Sequence, residues 1–310
     1  MSNEIWVCGE VLIDLIPYPA GHELSNSSTK QAIVGGGPAN TAKALAKLGF
    51  DSHFIDGIST DEYGQRAKAE LIADGVKLDH AMFSDKGTCT ADVTLDANGS
   101  ASYIFTIDGT ATFDFSHDWL PDPYAIKPAV LHIGTLVILV EPGAGILHEW
   151  ASKVADVAPI VFDPNVRSSV VGDRDLYQAA VAKWVAISAV VKVSDDDLAW
   201  LYPGQDPIAI AQEWIADGCA LVVITRGADG LVGVTNQGVV EVPGVKITVV
   251  DTVGAGDTVG AVVVEAIVEK GLANLHGDVL AGVLTRAAKA AGITCSRAGA
   301  NPPTKAEIEA

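Results

Sequence analysis

Short apolar runs alternate with helical stretches through the second half of the chain. Four runs of mostly β-branched and aliphatic residues predict buried strands at residues 130–133, 160–162, 189–193 and 221–224. Apolar spacing typical of helices follows at residues 145–157, 176–186 and 208–216. Because neighbouring parallel strands need a crossover connection, this order predicts a mostly parallel sheet with helices on both faces. The expected fold class is therefore α/β.

The first half of the chain has extended segments and two predicted helices. The extended segments are residues 5–8, 11–16 and 32–34. One helix is predicted to begin at Pro38, since proline suits the first turn, and to end at Gly49. A second helix is predicted over residues 61–74, before Gly75.

Alternating apolar and polar residues predict two β-hairpins. The first joins residues 89–95 to residues 101–107 through Asn98-Gly99, a strong turn signal. The second joins residues 231–234 to residues 239–242 at one edge of the sheet. No linker separates these segments from the rest. We therefore expect a single domain over residues 1–310, with a small β lid formed by the segments 11–36 and 88–108.

The composition excludes several classes of protein. With 20 basic and 39 acidic residues the formal charge is −19, so a nucleic acid or an anionic membrane would repel the chain. The four cysteines are far apart and lack disulfide or metal spacing, and the seven histidines form no ligand set visible in the sequence. The N-terminus has no basic leader. We expect a cytoplasmic protein with buried free thiols and no membrane or nucleic-acid partner.

The most informative motif is Asp251-Thr252-Val253-Gly254-Ala255-Gly256-Asp257, between a predicted strand at residues 245–250 and a predicted helix at residues 258–270. At a helix N-terminus, free N–H groups and the helix dipole stabilise an anion, and the two glycines allow close approach. Asp257 can accept a proton from a substrate hydroxyl, or it can cap the helix. The motif indicates phosphoryl transfer.

Polar residues follow several predicted strands, at the edge where open parallel sheets bind ligands. Arg167 suits a phosphate or carboxylate, or a surface ion pair with Asp173 or Asp175. Asp197 suits a Mg²⁺ ion bound through water, or the start of a helix. A nucleotide site and a plain β-turn are the two interpretations of Thr225, Gly227 and Gly230.

The glycine-rich turn before the first helix has two interpretations, a binding site for a polyol and a plain tight turn. Asp14, the Gly35 and Gly36 backbone and Asn40 together supply donors and acceptors, although a tight turn alone explains the glycines. His132, in an apolar strand, is interpreted as a satisfied core residue. The chain has no P-loop, and its glycine spacing does not fit a dinucleotide fingerprint, which argues against hydride transfer.

Together these motifs resemble those of the ribokinase-like, or PfkB, family of carbohydrate kinases. Residues 251–257 are similar to the family's second signature, Asp-Thr-x-Gly-Ala-Gly-Asp, and residues 35–49 to its first, a Gly-Gly-x-x-x-Asn turn that opens a helix. The resemblance runs from Ile5 to near Thr304. It implies a ribokinase-like fold and an ATP-dependent sugar kinase.

The resemblance also implies residue roles. Asp257 is the expected base, and the anion hole for the γ-phosphate is formed by Gly254, Ala255 and Gly256. The sugar-binding positions are Asp14, Gly35, Gly36, Asn40, Phe105 and Arg167, with Arg167 near the transferred phosphate and Phe105 a lid residue over the sugar. The nucleotide positions are Lys192, Thr225, Gly227, Gly230, Gly254 and Gly256. Asp197 matches a Mg²⁺ position, and a K⁺ loop matches Asp251 and Val253, with Thr294 and Gly299.

Two positions depart from the family pattern. Ser194-x-x-Asp197 replaces the Asn-x-x-Glu that many members have for metal and phosphate, and Gly299-Ala300-Asn301 lacks the Ser that ribokinases have near the end of the cation loop. These departures concern the Mg²⁺ and K⁺ positions.

Within the family, three segments look most like those of fructokinases. They are Asp163-Pro164-Asn165-x-Arg167, Tyr103-Ile104-Phe105 and residues 298–303. Fructose is therefore the expected acceptor. The alternatives are another acceptor, such as ribose, 2-keto-3-deoxygluconate or a nucleoside, and a non-catalytic regulator that binds sugar or nucleotide. The exposed edge of the first hairpin predicts a homodimer through the lid.

Overall fold

The computed structural model describes residues 2–18, 23, 29–95 and 101–310. The predicted turn at Asn98-Gly99 and parts of both predicted lid segments lie outside the described residues. In chain order, the strands are β1 (Ile5–Cys8), β2 (Leu12–Pro17), β3 (Lys30–Gly35), β4 (Ser52–Ile55), β5 (Gly57–Ser59), β6 (Met82–Ser84), β7 (Thr90–Leu95), β8 (Ala101–Thr106), β9 (Val130–Gly134), β10 (Ile160–Asp163), β11 (Val190–Ser194), β12 (Leu221–Thr225), β13 (Leu231–Thr235) and β14 (Gly238–Val242).

The six predicted helices lie close to their expected positions, and a further helix begins at the acidic residues 195–197, which was one of the two interpretations of that cluster. The helices at residues 123–126, 277–295 and 305–309 were not predicted from the sequence. In chain order the helices are α1 (Gly37–Lys47), α2 (Glu62–Ala73), α3 (Pro123–Ile126), α4 (Gly143–Ala155), α5 (Arg174–Val185), α6 (Asp195–Leu201), α7 (Pro207–Ala216), α8 (Ala255–Lys270), α9 (Gly277–Cys295) and α10 (Lys305–Glu309). Asp61 caps α2 by accepting a hydrogen bond from the Gly64 N–H, which explains where that helix begins.

The main sheet has eight strands in the order β14-β13-β12-β11-β10-β9-β1-β4. From β12 to β4 all neighbours are parallel, and β13 and β14 add an antiparallel hairpin at one edge. The central strands are apolar and buried along their length because helices cover both faces. One face packs against α1, α2, α8 and α9, and the other packs against α4, α5, α6 and α7. The predicted α/β class is confirmed.

A second sheet has four strands in the order β3-β2-β7-β8. Its register places Asp14 opposite Ala91, and Ala91 opposite Phe105, so these three residues share one face. Ile104 points to the other face and is 66% exposed. The hairpin of β7 and β8 is the one predicted from the sequence, and its strands bring Phe105 to the same side as Asp14.

The prediction of a strand at residues 245–250 is wrong. This segment forms no strand, and its Val249 and Val250 are each 60% exposed. The backbone N–H groups of Val250 and Asp251 donate instead to the carbonyl of Cys295, at the end of α9. A β-branched run becomes a strand only where a partner strand is available, and here the chain crosses to α9 after β14. The following helix begins at Ala255 rather than at Thr258.

The structure also shows the state of the cysteines and the character of the helices. All four cysteines are free, and three of them are buried while Cys295 is half-buried. In the part of the chain that the structure describes, no helix combines the length and apolar character needed to cross a bilayer.

Gly134 allows β9 and β10 to end side by side. A Cβ added at this position would lie 1.8 Å from the carbonyl oxygen of Asp163. We expect Gly134→Ala to lower the free energy of unfolding by about 1–3 kcal/mol, because the backbone must shift. Gly282→Ala in α9 is the control, since nothing lies within 4 Å of its added Cβ. The free energy of unfolding of that variant should rise by about 0.5–1 kcal/mol, because alanine is a better helix former than glycine. Urea denaturation measures both, and equal stabilities would contradict the argument.

Candidate active site

A cavity of about 490 Å³ opens at the carboxyl ends of the parallel strands, beneath the four-stranded sheet. Eleven of the predicted residues line it: Asp14, Gly35, Gly36, Asn40, Phe105, Arg167, Lys192, Val253, Gly254, Gly256 and Asp257. The predicted residues outside this lining are Ala255, Asp197, Thr225, Gly227, Gly230, Asp251, Thr294 and Gly299. The fold therefore gathers the predicted sugar side and the glycine-rich loop into one space.

Asp257 lies in the first turn of α8 and faces this cavity. The N-cap of α8 is Gly254, with a φ of 79° that favours glycine, and no side chain caps the helix. The Asp257 carboxylate accepts a hydrogen bond of 2.9 Å from Asn40 Nδ2 instead. In the described residues, the backbone N–H groups of Gly256 and Asp257 have no partner, as expected for a helix start. Free donors and a carboxylate thus meet at one point.

Burial changes the acidity of Asp257. The residue is only 8% exposed, and this burial raises the pKa of its carboxyl to about 6. The Lys192 ammonium lowers that pKa, Asp163 raises it, and the Asn40 hydrogen bond lowers it. Above a pH of about 6 the group is a carboxylate that can accept a proton. Such a value suits a general base near neutral pH.

Lys192 forms a buried ion pair with Asp163. Lys192 Nζ lies 2.8 Å from Asp163 Oδ2, and the two residues are 4% and 1% exposed. Burial lowers the pKa of Lys192, but the Asp163 and Asp257 carboxylates outweigh it and the net shift is upward. A Cβ at Gly256 would lie 3.0 Å from Lys192 Nζ, so glycine allows the ammonium to reach the start of α8. The Lys192 ammonium therefore lies beside the start of α8 while Asp163 balances its charge.

The sugar side of the cavity combines Asp14, Arg167 and two glycines. Burial raises the pKa of Asp14 to about 6, while the Arg167 guanidinium lowers it. A Cβ at Gly35 would lie 2.4 Å from Asp14 Oδ2, and one at Gly36 would lie 2.3 Å from a backbone carbonyl. Both positions therefore need glycine for packing, and the Asp14 carboxylate lies directly against the turn.

Arg167 does not form the surface ion pair that was one of its two interpretations. Its Nη1 donates to Asn165 Oδ1 at 2.7 Å, and among the described residues it has no acidic partner within salt-bridge distance. Asp173 instead caps α5 by accepting from the Leu176 N–H. The guanidinium lines the cavity, where it lowers the pKa of Asp14 and Asp257.

Sequence reasoning missed Glu10 and its partner Thr135, which lies just after β9. Glu10 lies in the cavity wall and accepts a hydrogen bond from Thr135 Oγ1. Burial raises the pKa of Glu10 to about 7. Thr135 and Asn165 have φ values of 65° and 38°, an uncommon backbone conformation that concentrates at functional sites. Glu10 follows β1 closely, so the strand-end rule that selected Asp14 was the signal that could have found it.

Asp197 serves as part of a helix start. Its N–H donates to Ser194 Oγ, and its own carboxylate accepts from the Ser194 N–H at 3.4 Å, a capping box at the start of α6. Its other oxygen accepts from the Val166 N–H at 3.1 Å. Since both oxygens already accept backbone hydrogen bonds, a metal contact through water is the arrangement that fits. The Mg²⁺ role stays a prediction.

Three of the predicted nucleotide positions, Thr225, Gly227 and Gly230, lie outside the cavity lining, whereas Lys192, Gly254 and Gly256 belong to it. Thr225 ends β12 and pairs in register with Ser194. Gly227 has a φ of 51° and open space around its Cα, whereas a Cβ at Gly230 would lie 2.1 Å from the Val242 carbonyl oxygen. Packing therefore explains the glycine at 230.

The predicted K⁺ residues come from two segments, the glycine-rich loop with Asp251 and Val253, and the end of α9 and the loop after it, with Thr294 and Gly299. Hydrogen bonds join the two segments. Asp251 accepts hydrogen bonds from the N–H groups of Val253, at 3.0 Å, and Gly299, at 2.9 Å. Thr294 Oγ1 lies 2.9 Å from Thr258 Oγ1 of α8. The loop after α9 is thereby joined to the glycine-rich loop, and cation binding stays a prediction.

The interpretation of His132 as a satisfied core residue is wrong in one respect. It is buried, but neither ring nitrogen has a hydrogen-bond partner in the described residues. Burial lowers its pKa to about 4, so the ring is neutral at physiological pH.

A double-mutant cycle tests the buried ion pair. Asp163→Asn or Lys192→Met alone should lower stability by about 3–5 kcal/mol, because each leaves one charge buried without a partner. The double variant should lose much less stability than the sum of the losses in the two single variants. Urea denaturation of all four proteins measures the coupling, and strictly additive losses would contradict it.

Comparisons with known proteins show which proteins the chain resembles. A family model described as pfkB family carbohydrate kinase matches residues 2–307. The chain is 35% identical over 257 residues to a fructokinase of Rhizobium leguminosarum bv. trifolii, covering 83% of this chain and 77% of that protein. It is 32% identical over 317 residues to fructokinase-2 of Zea mays, and the match covers 99% of this chain and 93% of that protein. A fructokinase structure from Vibrio cholerae O395 in fructose, ADP and calcium ion bound form is 25% identical, with a TM-score of 0.86, over 99% of this chain and 98% of that chain.

Proposed function

Because the chain belongs to the pfkB family of carbohydrate kinases, we propose that it transfers the γ-phosphate of ATP to a hydroxyl group of fructose. The observation that carries this proposal is the position of Asp257, whose carboxylate and neighbouring free N–H groups face the same cavity as Asp14 and Asn40. A hydroxyl in that cavity can be deprotonated where the phosphate it attacks is held.

Each step of the transfer has a residue assigned to it. Asp14 and Asn40 orient the sugar by hydrogen bonds, and Asp257 takes the proton of the attacking hydroxyl. The N–H groups of residues 254–257 and the helix dipole stabilise the charge that develops on the phosphate. Arg167 adds a guanidinium at the same wall of the cavity. Phe105 of β8 covers the sugar and excludes water, so the four-stranded sheet acts as the lid of a single domain.

Two observations support fructose as the acceptor. The relatives compared above are named fructokinases. The basic residues that line the cavity are Arg167 and Lys192, and Lys192 is already paired with Asp163. With one cation left for the transferred phosphate, an acceptor without a phosphate of its own is favoured. The several polar groups of the wall suit a polyol.

The nucleotide is assigned to the side of the cavity beyond Gly254. Thr225 and Gly227 lie at the end of β12, and the exposed Val249 and Val250 offer apolar surface next to the end of α9. An adenine ring needs apolar surface of this kind, and its burial there accounts for valines that are otherwise unusually exposed.

A kinase of this family uses ATP with a divalent cation, and we assign that cation as Mg²⁺. Asp197 would hold it through water, and the ion would neutralise charge on the phosphates. We assign K⁺ to the loop of Asp251, Val253, Thr294 and Gly299, where it would strengthen the field at the start of α8. The exposed Ile104 on the outer face of the lid supports a homodimer formed through that sheet.

Asp257→Asn tests the base. We expect turnover to fall by at least about 10²-fold, because the amide cannot accept the proton, while the fold is retained. Asp196→Asn is the control, since Asp196 is exposed and lies outside the cavity. ADP release with Mg·ATP is measured across fructose, ribose, 2-keto-3-deoxygluconate and nucleosides. If another acceptor gives the highest turnover, that acceptor replaces fructose in the proposal. If no acceptor gives turnover, the result favours a non-catalytic regulator that binds sugar or nucleotide.

The pH dependence of kcat/KM should have an acid limb near the Asp257 pKa of about 6, with activity lost as the pH falls and the carboxylate becomes protonated. Asp14 and Glu10 titrate at about 6 and about 7, so the wild-type limb contains their contributions too. Asn40→Ala singles out Asp257, because loss of its hydrogen bond raises that pKa and moves the limb to higher pH. Asn274→Ala, four residues beyond the C-terminal end of α8, should leave the limb unchanged. An unshifted limb in Asn40→Ala would rule out Asp257 as the titrating base.

A further inference from the structure

A cluster of titratable side chains lies at the amino end of the main sheet, opposite the candidate active site. Glu4 precedes β1, His53 lies in the first half of β4, and His80 follows α2. Because β1 and β4 are parallel, their first residues share the edge that is remote from the cavity. The three residues are far apart in sequence, so no spacing motif marks them.

The strand register explains why these side chains meet. Trp6 lies opposite His53, and Glu4 lies two residues before Trp6, so the three point to one face of the sheet. A bridge between His53 and Lys77 brings the segment before His80 alongside β4. One ligand atom from each of Glu4, His53 and His80 lies within 4.8 Å of the others. Two imidazole nitrogens and a carboxylate oxygen are a ligand set typical of Zn²⁺.

His53 is the observation that points to a ligand. Its side chain is 3% exposed, and neither ring nitrogen has a hydrogen-bond partner among the described residues. Asp51 Oδ1 lies 3.3 Å from Nε2 and Asp79 Oδ2 lies 3.2 Å from Nδ1, so a carboxylate lies beside each ring nitrogen. A metal ion on one nitrogen would satisfy it, and the carboxylate beside the other would orient the ring, as in many zinc sites.

The charges and distances also fit a divalent cation. The carboxylates of Glu4, Asp51 and Asp79 face one ammonium, that of Lys77, which is 2.6 Å from Asp51 Oδ1. With neutral histidines, three negative charges and one positive charge leave −2, which a divalent ion balances. Glu4 Oε2 and His80 Nε2 are 3.0 Å apart, close to the roughly 3.3 Å between two ligands of a tetrahedral zinc site. The ion would replace the proton between them.

We propose that Glu4, His53 and His80 bind a divalent transition-metal ion of the Zn²⁺ class. Water completes the coordination, and the carboxylate beside the nitrogen of His53 that does not bind the metal orients the ring. The site joins the segment after α2 to β1 and β4 and is separate from the metal used in phosphoryl transfer. Its role is structural, because it lies at the end of the sheet away from the cavity.

Zinc titration of the full chain, after chelator treatment and dialysis into excess Mg²⁺, tests the site by calorimetry. We expect one equivalent of Zn²⁺ to bind and to raise the thermal midpoint. Co²⁺ in place of Zn²⁺ should give the visible absorption of a tetrahedral site, and it should quench the fluorescence of Trp6, whose ring centroid lies 5.6 Å from that of His80.

His80→Ala should weaken Zn²⁺ binding by at least roughly 10–100-fold and abolish the Co²⁺ spectrum. Its side chain is 16% exposed, so the variant should fold, and circular dichroism checks this. His117→Ala is the matched control, because His117 forms an exposed pair with Glu149 at 3.4 Å and lies outside the cluster. Glu4→Gln removes a ligand charge with little change of shape and should also weaken binding. Absence of stoichiometric binding, or equal binding by His80→Ala and His117→Ala, would overturn the proposal.

Discussion

The buried ion pair between Lys192 and Asp163 is the interaction on which the candidate site depends. Both charges are removed from water, so each is tolerated only because the other lies 2.8 Å away. The same ammonium lowers the pKa of Asp257, which burial alone would raise further. One cation from β11 therefore stabilises the end of β10 and keeps the carboxylate of α8 ionisable near neutral pH. The proposed base is available because of a charge that does not itself react.

Close backbone contact is the second constraint on the site. A Cβ at Gly37 would lie 2.8 Å from Asn165 Nδ2 and 3.2 Å from Asp257 Oδ1, so the start of α1 touches both the end of β10 and the start of α8. Thr135 adopts a positive φ at the same edge and donates to Glu10. Strained residues persist only where the surrounding structure holds them. Here the rigid parallel sheet beneath the cavity does so.

The parallel arrangement also separates two kinds of chemistry. All carboxyl ends of β1, β4, β9, β10, β11 and β12 lie at one edge of the sheet, where the sugar and phosphate groups are proposed to bind. The amino ends lie at the other edge, where Glu4, His53 and His80 meet and where the His53 ring nitrogens have no hydrogen-bond partner among the described residues. A metal ion there can strengthen the sheet without entering the reaction, since the length of the strands lies between the two sites.

The sequence by itself determined most of the strands and helices, the strands of the two hairpins and the glycine-rich loop, because these depend on local periodicity and on the conformational freedom of glycine. It did not reveal β4, at the edge of the main sheet, or α9. The loop with Asp257, together with the glycine-rich turn at residues 35–49, carried the resemblance to carbohydrate kinases, which the family match confirms. Tertiary structure decided what local patterns do not contain. Residues 245–250 have strand composition but no partner strand, and Asn40 reaches Asp257 across 217 positions of chain. Glu10, the ion pair of Lys192 and the cluster of Glu4, His53 and His80 likewise depend on partners that are distant in sequence and that only the folded sheet brings into contact.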